Sequence, residues 1–278
     1  MTAQRLARFV SIVVALMAMV PGPAHSTAAR DASPPASPEA ADCTANLGLV
    51  RITKACVAIV HASLDAPSVD VYLNGEVAVT ALAPGSATSF VELPAGDYLV
   101  QIVPAGGTAD QAFITVDPLT LEPAKAYEVV ALGALVDTGP ATETRVAVYD
   151  VTTYAVPPSG AGLPQARVRV VHAAGEGKPI DAALIADDIA VPLADDLEEG
   201  VDAAYAERPA GAYRLTISAF WGELLLTVPE VMLEADTVTS IYVVWAPAEP
   251  SGLDVVIVTT AASRLPASEA TPGASPTA

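Results

Sequence analysis

The stretch from Val57 to Asp70, VAIVHASLDAPSVD, returns further along the chain as Val168 to Asp181, VRVVHAAGEGKPID. In both, a run of strand-forming residues ends in His-Ala, and an Asp follows nine residues after the His. Recurrence of this kind marks a duplicated structural unit and constrains the fold more than any local pattern does. Other echoes keep the same order. Pro94 to Tyr98 (PAGDY) matches Pro209 to Tyr213 (PAGAY), Leu121-Glu122 matches Leu233-Glu234, and Val146 to Thr153 matches Leu253 to Thr260. The offset between copies drifts from 107 to 115 residues, as insertions and deletions in loops produce.

Short apolar runs broken by Pro, Gly and Asn recur every ten residues or so, with no sustained helical period between residues 43 and 260. That rhythm predicts an all-β sandwich rather than helices. Val57 to Ala62 is apolar on both faces, as a central strand requires. Val69, Val71 and Leu73 alternate with polar positions, and Asn74-Gly75 supplies the two positive-φ residues of a tight hairpin. The expected architecture is two tandem immunoglobulin-like β-sandwiches, at 43–153 and 167–260. A Pro/Gly linker (154–166) joins them. An Ala/Pro/Ser linker (27–42) precedes them and a low-complexity tail (261–278) follows.

The string VHASLDAPSVDVYLNG (60–75), followed by ELPAGDYLVQIVPAG (92–106), resembles an exported bacterial family known as domain of unknown function 4397. That family shows a His-Ala-Ser-Pro-Asp-Ala-Pro pattern, then Val-Asp-Val and a Leu-Pro-Ala-Gly-x-Tyr turn; here Leu64 stands where Pro is usual. Residues 57–152 fit closely. The second copy keeps the His, the Asp and the Pro-Ala-Gly-x-Tyr turn but loses Ser-x-Asp-Ala-Pro. The resemblance implies a secreted or surface-displayed β-sandwich and supplies no established activity.

Export is also written at the N-terminus. Arg5 and Arg8 precede a 12-residue apolar run, Phe9 to Val20, and Pro21-Gly22-Pro23 breaks it before small residues. This is the pattern of a signal peptide over residues 1–26, and no later segment is long and apolar enough to span a bilayer in the mature chain. Its removal takes away two Arg and no acid, moving the net charge from −19 to −21. A chain so acidic repels nucleic acid and anionic membrane surfaces, so both are excluded as expected partners. In an exported chain the only two cysteines, Cys43 and Cys56, are expected to form a disulfide rather than a metal site or two buried thiols.

Few residues offer chemistry. His61 and His172, each with an Asp nine residues on (Asp70, Asp181), could in principle serve as bases or metal ligands. The second copy keeps those ends while changing the loop between them. The pattern therefore reads as an imidazole bonded to an Asp or a loop carbonyl, pinning the turn. Ser63 and Asp65 sit too close to His61 along an extended strand to build a nucleophilic triad, so catalysis by a hydrolase is the least expected outcome. No cofactor motif is present.

Asp187, Asp188, Asp195, Asp196, Glu198, Glu199 and Asp202 form the densest acidic run. Asp195, Asp196, Glu198 and Glu199 are candidate calcium ligands, but the run lacks the Asp-x-Asp-x-Asp-Gly register and is expected to be a solvated loop. Phe220 and Trp221 depart most from the first copy, which has an ordinary turn there; aromatic rings near a loop tip can stack on sugars or dock a partner. Trp245 is expected in the core. The expected role is thus structural or interactive, with an unknown protein or glycan at the cell surface as partner. A carbohydrate- or calcium-binding module is the alternative.

Overall fold

The computed structural model describes Cys43 and residues 53–133, 144–152, 163–174, 178–219, 222–249 and 251–262. The expected signal peptide, the expected 27–42 linker, Phe220, Trp221 and most of the expected C-terminal tail lie outside those residues. The first half runs β1 (Lys54–His61), β2 (Val69–Leu73), β3 (Glu76–Leu82), β4 (Val91–Pro94), β5 (Gly96–Pro104), β6 (Ile114–Leu121), β7 (Ala126–Leu132) and β8 (Arg145–Asp150). The second half repeats the order with β9 (Gln165–Ala173), β10 (Ile180–Ala186), β11 (Ile189–Leu197), β12 (Ala206–Pro209), β13 (Gly211–Ala219), β14 (Leu224–Leu233), β15 (Thr237–Trp245) and β16 (Leu253–Ala261). A 3-10 turn at Ala109–Gln111 interrupts the strands.

Each half folds into two four-stranded sheets. In the first they are ordered β3-β2-β5-β6 and β4-β1-β7-β8; in the second, β11-β10-β13-β14 and β12-β9-β15-β16. The halves are thus β-sandwiches of one topology. A feature not foreseen from sequence is that the central pairs β1·β7 and β9·β15 run parallel, while the other ladders are antiparallel.

Parallel central strands call for cover on both faces, and side-chain alternation shows how each receives it. Along β1, Ala55, Val57 and Ile59 enter a core shared with β2, β5 and β6. The intervening Cys56, Ala58 and Val60 enter a different core, which also holds Val171, Ala173, Tyr242, Val244, Val256 and Val258 of the second half. Along β15, Ile241 and Val243 point into the second sandwich's own core. The two inner sheets therefore pack directly against one another, and the described strands form a stack of four sheets with three cores. Burial on both faces is why β1, β7, β9 and β15 carry apolar residues at neighbouring positions, as in Val57–Val60, Val129–Leu132, Val170–Val171 and Ile241–Val244. Small residues on the shared faces let the layers approach as closely packed sheets do.

Local motifs follow from the strands they join. Asn74 and Gly75, at φ 52° and 82°, close the β2–β3 hairpin. In the second sandwich the same turn is made by Asp187 and Asp188, at φ 49° and 61°. Asp tolerates this region better than most residues because its short side chain can bond the local backbone. The Pro-Ala-Gly-x-Tyr turns share one device: the Tyr98 hydroxyl donates to the Pro94 carbonyl at 2.7 Å and the Tyr213 hydroxyl to the Pro209 carbonyl at 2.8 Å. Cys43 and Cys56 form a disulfide that ties the segment before β1 onto that strand. Trp245 is half-buried, its ring lying over the backbone of Gly252.

Candidate functional site

The repeated His–Asp stretch has the same geometry in both sandwiches. His61 ends β1, is almost fully buried, and its Nε2 lies 3.0 Å from the Pro67 carbonyl. His172 sits equivalently on β9, with Nε2 2.9 Å from the Lys178 carbonyl. A carbonyl only accepts, so each Nε2 carries the proton, and each imidazole spans the loop that follows by a bond to the sixth residue on. Burial lowers the pKa of His61, opposed by the bond to Pro67 and the nearby Asp65 charge. Neutral at ordinary pH, it holds a loop in place.

The Asp of each stretch serves another junction. Asp70 is buried and accepts two backbone bonds, from Ala81 N at 2.6 Å and Gly106 N at 2.8 Å. Ala81 has φ 50° at an irregularity in the β2–β3 ladder. Asp181 accepts from Asp196 N at 2.8 Å, and Asp196 has φ 53° at the matching irregularity between β10 and β11. The carboxylate thus caps a strained bulge in the neighbouring strand. His and Asp of one copy act on separate pieces of backbone, so nothing here poises the imidazole as a base.

Ser63 is fully buried, and neither its Oγ nor His61 Nδ1 has a hydrogen-bond partner among the described residues. Nδ1, the basic nitrogen left by the Nε2–Pro67 bond, makes no hydrogen bond to Ser63 Oγ, so a hydroxyl-activating relay of the hydrolase kind is not assembled between them. Beside His172, a cleft of about 80 Å³ is lined by Lys178, Pro179, Ile180, Ala219, Glu223, Leu225 and Leu253. Small-molecule sites run to ~300–1,000 Å³, so it accommodates a few waters and not a sugar ring.

The acidic run is not a single solvated loop, which corrects that expectation. Asp187 and Asp188 are hairpin turn residues, and Asp195 and Asp196 lie within β11. Glu198 and Glu199 follow that strand, and Glu199 pairs with Arg145 of the first sandwich at 3.3 Å. Asp202 pairs with the buried Arg169 at 2.7 Å. Strand pleat and turn geometry distribute the carboxylates along the fold. No cluster of three or more His, Cys, Asp or Glu suited to a metal occurs among the described residues.

The most concentrated polar chemistry lies where the sandwiches meet. Glu128 of β7 and Arg169 of β9 are each 1% exposed. Arg169 Nη2 is 3.4 Å from Glu128 Oε2, its Nη1 is 2.7 Å from Asp202 Oδ2, and its Nε donates to Ser240 Oγ at 3.2 Å. The guanidinium lies between the rings of Tyr149 and Tyr205, 5.2 and 4.9 Å from their centroids, a cation–π arrangement. Tyr242 donates its hydroxyl to Glu128 Oε2, and its ring meets Tyr149 at 5.9 Å. Burial pushes Glu128 above the ordinary carboxylate range, while the Tyr242 hydroxyl and Arg169 pull it back. Burial raises the Tyr205 phenol to about 12 and Tyr242 well above its usual value.

This cluster was missed in the sequence, although one sign was present. VAIVHA in the first copy becomes VRVVHA in the second, placing an Arg where both faces of a strand must be buried. A fully buried Arg needs a carboxylate. Which acid would meet it could be learned only from the way the sandwiches pack.

No curated protein matches the chain in sequence. Among solved structures, CBMbc (family CBM26) of Eubacterium rectale Amy13K in complex with maltoheptaose is similar at 12% identity, covering 75% of this chain and 97% of that one at a TM-score of 0.24. A putative cell adhesion protein of Bacteroides uniformis gives 8% identity, 75% and 97% coverage and a TM-score of 0.23. The fimbrial anchor protein Mfa2 of Porphyromonas gingivalis gives 10%, 75% and 98%, and 0.19. Likeness at TM-scores this low says nothing of function. The sequence match is more specific: from β1 through the first strands of the second sandwich, residues 55–183 match the family described as "Domain of unknown function (DUF4397)".

Proposed function

We propose that this chain is a non-enzymatic, extracytoplasmic β-sandwich protein with a structural or interaction role, its second sandwich a diverged copy of the first. One observation carries the reading: the repeated His and Asp and the buried ion pair are each bonded to groups that hold the fold. His61 and His172 bond loop carbonyls, Asp70 and Asp181 bond backbone amides, and Glu128 and Arg169 bond each other between two sheets. A stack of sheets whose repeated His and Asp are bonded to the backbone suits display or adhesion better than turnover. The signal-peptide pattern at residues 1–26 supports an extracytoplasmic place, and among the described residues no helix is long and apolar enough to cross a membrane.

The contact candidates remain Phe220 and Trp221, where the second copy departs from the first. A pull-down from the native cell envelope with the mature chain, repeated with Phe220→Ala/Trp221→Ala, tests both parts. Capture that is lost in the double variant supports the reading, and capture that survives it removes these residues from the proposal. Turnover of a chromogenic ester or glycoside that vanishes in His61→Gln would replace the non-enzymatic reading with the hydrolase one.

A further inference from the structure

The joint between the sandwiches has the backbone form of a symmetric interface made asymmetric by its side chains. Each inner sheet turns the same strand positions toward the shared core in both halves. By strand register, Val60 corresponds to Val171, Ala62 to Ala173, Val130 to Tyr242, Leu132 to Val244 and Tyr149 to Val258, and all ten lie in that core. Burying equivalent patches against each other is the arrangement of an isologous dimer, here within one chain. Of the rungs that differ between the halves, one sets a buried acid against a buried base. In the first sandwich it reads Ala58–Glu128–Tyr149 across β1, β7 and β8; in the second it reads Arg169–Ser240–Val258 across β9, β15 and β16. One sheet carries a lone acid, the other a lone base, and they meet at 3.4 Å.

We propose that Glu128 and Arg169 are the specificity determinants of this joint: they commit each inner sheet to its unlike partner and forbid pairing with the like sheet of a second copy. In a like pairing of two first sandwiches, the symmetry places each Glu128 against the other copy's Ala58, burying two carboxylates with no guanidinium. In a pairing of two second sandwiches, each Arg169 keeps Asp202, its own Ser240 and the Tyr205 ring but loses the Glu128 carboxylate and the Tyr149 ring. Leaving a buried charge without its partner is strongly unfavourable, and polar residues at otherwise apolar interfaces are a known means of fixing partner choice. Tyr242, Tyr149 and the Arg145–Glu199 pair lie around this charge pair, and the apolar positions of the face supply affinity.

The test uses the whole protein with a protease site placed within residues 153–162, cleaved after folding so that both sandwiches stay in the sample. Native mass spectrometry then counts unlike and like pairs after equilibration. In the wild type, unlike pairs should exceed like pairs by about 100-fold or more, given two unpaired carboxylates in the first-sandwich pair. Glu128→Ser, which installs the counterpart residue, should lower that excess to below about 10-fold by releasing first-sandwich pairs. Glu128→Ser/Arg169→Ala should bring it close to the statistical distribution. Like pairs abundant in the wild type, or a preference unchanged in both variants, would overturn the proposal and leave selection to the shape of the face. If the double variant fails to fold, the single variant alone decides.

Discussion

Replacing Asp70 with Ala removes the acceptor for two backbone amides at once, Ala81 N at 2.6 Å and Gly106 N at 2.8 Å. Hydrogen bonds to a charged group contribute about 1.5–3 kcal/mol each. Ala81 and Gly106 are exposed, so water replaces part of what is lost. A destabilisation of about 3–4 kcal/mol follows, in the lower half of the summed range of about 3–6 kcal/mol. Asp181, by contrast, holds the Asp196 amide at 2.8 Å in an exposed stretch of strand, and Asp181→Ala should cost only about 1 kcal/mol. Asp70→Asn should fall between wild type and Asp70→Ala, since the amide oxygen keeps one bond and the NH₂ cannot accept the other. Equilibrium urea unfolding followed by circular dichroism at pH 7 measures all three. The shared core between the sandwiches predicts that each variant unfolds in a single transition. An Asp70→Ala cost below about 1 kcal/mol, or one no larger than that of Asp181→Ala, refutes the reasoning that this carboxylate anchors two strands.

Burial depresses the pKa of His61, so the unfolded chain takes up the proton first. Stability should therefore fall as pH drops below about 6.5 and level off below the folded value, a fall that His61→Gln removes from a thermal-melt series between pH 7 and 5. At Gly252, φ is 72° and an added Cβ would lie 2.7 Å from the Trp245 ring. Gly252→Ala should cost about 1–3 kcal/mol and shift tryptophan emission, and an unaltered spectrum and melt would contradict the close approach. Replacing Cys43 and Cys56 with Ser opens a link between residues 13 apart and should lower stability by about 3 kcal/mol, read as the difference between the variant and the oxidised wild type in denaturant.

Much of the architecture is local and was legible before any coordinates. Val69, Val71 and Leu73 alternate because one face of β2 is buried, and Asn74-Gly75 turns because those residues tolerate positive φ. The repeated His and Asp mark equivalent junctions in both halves. Their partners were not legible, since a carbonyl six residues on and an amide across a bulge depend on loop paths that residue types alone do not encode. The acidic run shows the same limit: composition grouped its members, whereas strand, turn and ion pair separated them.

Sequence by itself determined that this chain is built of strands, that it repeats, and which positions along each strand are apolar, because those follow from side-chain alternation and turn chemistry within a few residues. Tertiary structure alone decided that the two sandwiches share a core, that β1 and β9 are covered by different sheets on their two faces, and that Glu128 meets Arg169 across 41 residues of sequence. The physical reason is that periodicity reports whether a face is buried and never what buries it. An apolar face accepts any apolar neighbour, and only the assembled stack brings the lone acid of one sheet against the lone base of the other.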